Sequence, residues 1–173
     1  GSGSTVSSPA LRIMRATEGA ATMLGSVRAL AKAVAEAVAR GEEASQVKAL
    51  ADRLIAVVAV LGEHLVDSPD TQLIVIALEE ASQAAAALTA LVTAKAPQDQ
   101  IDEQLARLEL AVCDAATRIV DQAAKALSGR GFSIRQQGMV DLMKDMVRQL
   151  SDDLGARLAT LDAGVRMQNE DVI

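Results

Sequence analysis

The sequence predicts an all-α fold, an elongated up-and-down antiparallel bundle of four to five long helices. Three observations carry that expectation. Phe132 is the sole aromatic residue among 173, and alanine fills the space instead. Sheets draw on aromatic and β-branched side chains, whereas Ala is the best helix former. Apolar residues recur at alternating steps of four and three, the spacing of one helical face. Pro9, Gly41, Pro69, Pro97 and the Gly129–Gly131 pair cut that pattern into five segments.

Gly1-Ser2-Gly3-Ser4 reads as linker left by cloning, so 1–7 is expected to be a disordered tag and the native N-terminus to be missing. Residues 8–169 are expected to form one helical-bundle domain. Its first helix spans 8–40. Ser8 caps it, and Pro9 takes the first helical position, where a missing N–H does no harm. Ala20, Leu24, Val27, Ala31, Val34 and Val38 make its stripe, and Arg40-Gly41 ends it.

The second helix is expected over 43–66, with Val47, Leu50, Leu54, Val57, Leu61 and Leu65 on one seam. Ala51, Ile55 and Val58 widen the apolar arc, so this helix is expected to be the most buried. The third spans 69–94, opened by Ser68-Pro69-Asp70. Its stripe is Ile74, Leu78, Ala81, Ala85, Leu88 and Val92, and Ala84–Ala87 allows a close neighbour. The fourth spans 97–128, with Ile101, Leu105, Leu108, Val112, Ala115 and Ile119 inward. The fifth spans 133–168, capped by Ser133. Met139, Met143, Met146, Leu150, Leu154, Leu158, Leu161 and Val165 form its face, and 170–173 is expected to fray. Short connections make successive helices antiparallel.

Composition excludes several function classes. A net charge of −6 disfavours nucleic acid and anionic lipid. One cysteine, Cys113, forbids an intrachain disulfide, and one histidine, His64, forbids a multi-histidine metal site. The most apolar run, Leu54 to Gly62, is far short of the ~20 residues that span a bilayer. No phosphate-binding glycine loop, HExxH, CxxC or EF-hand loop occurs. No catalytic, cofactor-binding or metal residues are therefore expected, and the chain reads as a non-enzyme without cofactors. The cytoplasm is its expected location.

Three places still invite a function. Met139, Met143 and Met146 lie at i, i+4 and i+7, and methionine surfaces can receive partner helices. Arg130 and Phe132 sit in the glycine loop and could touch a partner. With Arg135 they also suggest a stacking loop for nucleic acid, which two arginines on an acidic chain do not support. These five residues, Met139, Met143, Met146, Phe132 and Arg130, are the candidate partner-binding set.

The third place is Glu63-His64-Leu65-Val66-Asp67-Ser68-Pro69. It resembles the phospho-accepting box of histidine-kinase dimerisation domains, with a proline five positions after the histidine. Leu65 stands where that box has an acid, and no ATP-binding domain follows. The resemblance implies a phosphorelay role for His64 as an alternative function.

The Ala-rich helices, as in Val27-Arg28-Ala29-Leu30-Ala31-Lys32-Ala33-Val34, resemble in composition the bundles of the talin-rod, vinculin and focal-adhesion-targeting families. The resemblance implies binding of short amphipathic helices in grooves between neighbouring helices. The expected function is accordingly a scaffold or protein-interaction bundle with a helical protein partner. The alternative is a self-assembling coiled-coil, structural or secretion component, because a mean hydropathy of +0.22 leaves apolar surface for a homo-oligomer. Neither nucleic-acid nor membrane binding is expected.

Overall fold

The structure is a computed structural model that describes residues 9–65, 68–128 and 133–172. It is all-α, with five helices and no strand among those residues. They are α1 (Pro9–Ala39), α2 (Ala44–Glu63), α3 (Thr71–Thr93), α4 (Gln98–Ser128) and α5 (Ile134–Val172). The expected segments hold, with shifted ends.

Those ends follow local chemistry. Gly41 takes φ +67°, and two bonds close the end of α1: Gly41 N–H to the Val38 carbonyl and Glu42 N–H to the Ala37 carbonyl, both 3.0 Å. That pair is the glycine-terminated Schellman stop. The end of α3 repeats it without glycine. Lys95 N–H reaches the Val92 carbonyl and Ala96 N–H the Leu91 carbonyl, with Lys95 itself at φ +53°. Pro9 opens α1 as expected, whereas Pro69 and Pro97 precede their helices, which start at Thr71 and Gln98. Asp70, not Ser68, is the residue before α3, and it makes no side-chain cap bond. Ser68 N–H donates instead to Thr71 Oγ1 at 3.1 Å. Ser133 caps α5 reciprocally: Gln136 N–H donates to Ser133 Oγ, and Ser133 N–H to Gln136 Oε1. α5 runs through Val172, with no Pro or Gly after Gly164 in its sequence.

The packing order is a closed ring. α1 packs on α2, α2 on α3, α3 on α4, and α4 back on α1. α5 lies outside the ring, against α4 and α1. The fifth helix therefore joins the bundle of its own chain. The ring core is the apolar stripes read from the sequence: Leu24, Val27 and Val34 from α1; Val47, Leu54 and Leu61 from α2; Ile74, Ala85 and Leu88 from α3; Leu105, Leu108 and Val112 from α4.

The most buried helix is α4, a correction to the expectation for α2. α4 meets α1, α3 and α5, and its burial spreads to Ala106, Cys113, Ala116, Val120 and Ala123. α2 stands at a corner of the ring, touching α1 and α3, and leaves Leu50, Ile55 and Val57 half-buried. Gln122 ties α4 to the α2–α3 turn, its amide donating to Ser68 Oγ at 2.5 Å and Thr71 Oγ1 at 3.1 Å.

α3 is more apolar than the Leu54–Gly62 run suggested. Its 23 residues hold an 18-residue window of mean hydropathy 1.4, long and apolar enough to cross a membrane. Here it is a bundle helix, yet only 39% of its apolar window is buried. The remainder is half-buried or exposed.

Candidate functional site

The methionine stripe is turned inward. Met143 is fully buried, Met139 and Met146 are half-buried, and Met146 Sδ lies 3.9 Å from where a Cβ on Gly25 of α1 would stand. Val140 and Leu150 are buried beside Met143. These side chains are the inner face of α5, spent on its own docking to α1 and α4. Arg130 and Phe132 lie outside the described residues. Leu158, expected on the inward face, is 49% exposed.

His64 is the C-cap of α2 and is exposed. Its Nδ1–H donates to the Val60 carbonyl at 2.9 Å, since a carbonyl can only accept. The ring crosses to α1, with Cδ2 only 3.2 Å from a Cβ built on Gly19. Cys113 is buried, with Ser151 Oγ at 3.3 Å from its Sγ. No group of three or more His, Cys, Asp or Glu residues able to hold a metal occurs among the described residues.

Three larger surface hollows lie among the described residues. The first is a groove of about 390 Å³ between α2 and α3, on the side of the ring opposite α5. Ile55, Ala59 and Gly62 of α2 form one wall; Val75, Leu78 and Ser82 of α3 form the other. Each set repeats at three- and four-residue steps, so each wall is one helix face. Glu79 lines the groove, and exposed Glu63 follows Gly62 at the end of α2. Neither carboxylate is in an ion pair among the described residues.

The second hollow, about 430 Å³, lies between α3 and α4 and is lined by Ala84, Ala87 and Ala111 beside Leu110, Glu80 and Arg107. Leu110 on α4 is 57% exposed, and Leu73 and Ile76 on α3 are 45% and 42% exposed. Leu110 and its neighbour Glu109 invert the usual order, for the glutamate is the buried one.

The third is a cleft of about 360 Å³ where α5 stands off from α1. Ala31, Ala35 and Ala39 of α1 face Leu150, Ala156 and Thr160 of α5. Glu109 reaches it from α4 at 9% exposure. Arg157 Nε donates to Glu109 Oε1 at 2.6 Å, while Glu109 Oε2 is buried without a hydrogen-bond partner. Arg28 Nε, also on the cleft, is likewise buried without one. Burial pushes the Glu109 carboxyl above its ordinary range; Arg157 pulls it the other way, and Asp153 adds to the rise.

Sequence reading missed all three hollows. Each is a relation between helices, and periodicity reports only the buried face of a single one. No family model matches the chain, and no curated protein or solved structure matches it.

Proposed function

We propose that the chain is a non-enzymatic protein-interaction module whose α2–α3 groove receives an amphipathic helix with cationic rims. One observation supports this most. The chain already fills the opposite groove, between α1 and α4, with a helix of its own: α5 inserts Val140, Met143 and Leu150. The α2–α3 groove offers a comparable apolar trough with no helix of the described residues over it. Docking an amphipathic helix into a groove of this kind buries alternate i, i+3 and i+4 side chains. Glu63 and Glu79 favour lysine or arginine at the rims of the incoming helix.

The test uses two designed helical peptides with the same Leu/Ala face, one rimmed by lysine and one by glutamate. Fluorescence anisotropy should show saturable binding of the lysine peptide, at least tenfold tighter than the glutamate peptide. Ala59→Asp, an exposed substitution inside the trough, should abolish it with helicity unchanged. Equal binding of both peptides, or full binding by the variant, would overturn the reading.

Self-association is a second reading, favoured by exposed Leu73, Ile76 and Leu110 on adjoining α3 and α4. Light scattering across concentration decides it: growth in mass supports it, and a constant monomer removes it.

A further inference from the structure

The side of α4 turned away from the core carries a second stripe. Leu105, Leu108, Val112, Ala115 and Ile119 are buried on its inward face. The opposite face runs Glu103, Arg107, Leu110, Asp114 and Arg118, at three- and four-residue steps. Glu103, Arg107 and Leu110 are exposed, and Asp114 and Arg118 are half-buried. Two pairs within the helix organise these charges, each with the acid first. Arg107 Nη2 lies 3.0 Å from Glu103 Oε1, and Arg118 Nε lies 3.2 Å from Asp114 Oδ1. Leu110 stands between the two pairs, beside the hollow lined by Ala84, Ala87 and Ala111. Intrahelical pairing accounts for the charges, but it gives no reason for a leucine more than half exposed among them.

We infer that a second copy of the chain packs on this face, α4 antiparallel to α4, across a two-fold axis at Leu110. This rests on the self-association reading above and gives it a surface and a register. The order of charges selects the orientation. Arg107 and Asp114 lie equally far from the point between Leu110 and Ala111, and so do Glu103 and Arg118. Reversing the helix therefore sets Arg107 opposite the partner's Asp114 and Glu103 opposite the partner's Arg118. The two-fold axis repeats both pairs, as an isologous interface requires. A parallel pair of helices in register would set each charge against its own kind, which is repulsive. In the antiparallel pair the Leu110 of each copy enters the alanine hollow of the other, a space of about 430 Å³. Exposed ion pairs add little affinity, so the leucine and the hollow supply the attraction and the charges fix the register. A patch this narrow makes a weak, concentration-dependent dimer rather than an obligate one.

The experiment is sedimentation equilibrium of the full chain from micromolar to millimolar concentration. Wild type should form dimers and nothing larger. Leu110→Asp, at an exposed position, should weaken dimerisation by roughly tenfold or more with helicity unchanged, since it would bury an unpaired charge. Two double variants test the charge order. Arg107→Glu with Arg118→Glu makes the stripe wholly acidic, and Glu103→Lys with Asp114→Lys makes it wholly basic. Each should stay monomeric alone, and their equimolar mixture should dimerise. Cross-linking reads the orientation. In a Cys113→Ala background, Leu110→Cys should form an intermolecular disulfide on mild oxidation, and Thr117→Cys should not. A wild type that stays monomeric would remove self-association and this inference with it. Dimers unaffected by Leu110→Asp would leave self-association standing and overturn this surface. A mixture that stays monomeric, or equal cross-linking at both cysteine positions, would overturn the antiparallel register in the same way.

Discussion

Arg157 Nε donates to Glu109 Oε1 at 2.6 Å, a part-buried ion pair that joins α5 to α4. The pair does not offset the whole cost of placing the carboxylate there. Burial is the largest influence on Glu109, and its carboxyl is raised from the ordinary 4.5 despite Arg157. A raised folded-state value fixes the sign of the linkage. The proton-linked stabilisation is fully present below the ordinary carboxylate range and is lost as pH rises through the raised folded value.

Glu109→Gln should therefore match or exceed the wild type in stability at pH 7. That advantage should vanish in acid, where Glu109 is itself neutral. Urea unfolding of both proteins across this range checks it. Glu109→Ala leaves Arg157 without its partner and should cost roughly 1–2 kcal/mol at pH 7. A wild type more stable than Glu109→Gln at neutral pH would contradict this account.

Met143 and Leu158 separate the docked face of α5 from its outer face. Met143 is fully buried and Leu158 about half exposed. Met143→Ala should cost about 2–4 kcal/mol through the cavity it leaves. Leu158→Ala should change stability by less than about 0.5 kcal/mol. Denaturant midpoints at constant m-value give both numbers. Equal costs would mean that α5 does not lie on α1 and α4 in this register.

Lys95 ends α3 at φ +53°, a conformation that costs an L-residue roughly 1–2 kcal/mol and glycine almost nothing. Glycine loses part of that gain through the entropy of its unfolded chain. Lys95→Gly should stabilise the bundle by about 0.5–1 kcal/mol, raising Tm by a few degrees. Thermal unfolding checks it, with Gly41→Ala expected to move the other way at φ +67°.

The inward stripes of α1 and α4 were legible because each helix packs its apolar face where the heptad-like step places it: Leu24, Val27, Val34, Leu105, Leu108 and Val112 are all buried. The neighbours of each helix were not legible. α4 is buried on three sides, and its only local sign is small residues off the stripe, such as Ala106, Cys113 and Ala116. Pro69 misled because the proline sits in the turn before α3 rather than in its first turn. The methionines could be read as core or as a partner-binding face, because an apolar stripe looks the same whether its own chain or another covers it. Glu109 was hidden for a simpler reason: a glutamate next to Leu108 and off the apolar stripe carries no local sign of burial, and the fold buries it while exposing Leu110.

The most direct test of the docking claim maps where a helix lands. ¹⁵N-labelled protein is titrated with the lysine-rimmed amphipathic peptide, and amide shifts are followed along all five helices. The largest shifts should fall on Ile55, Ala59, Gly62, Val75 and Ser82, with α5 unmoved. Shifts concentrated on α1, α4 and α5 would contradict the account. They would show that an incoming helix displaces α5 rather than filling the open side of the ring.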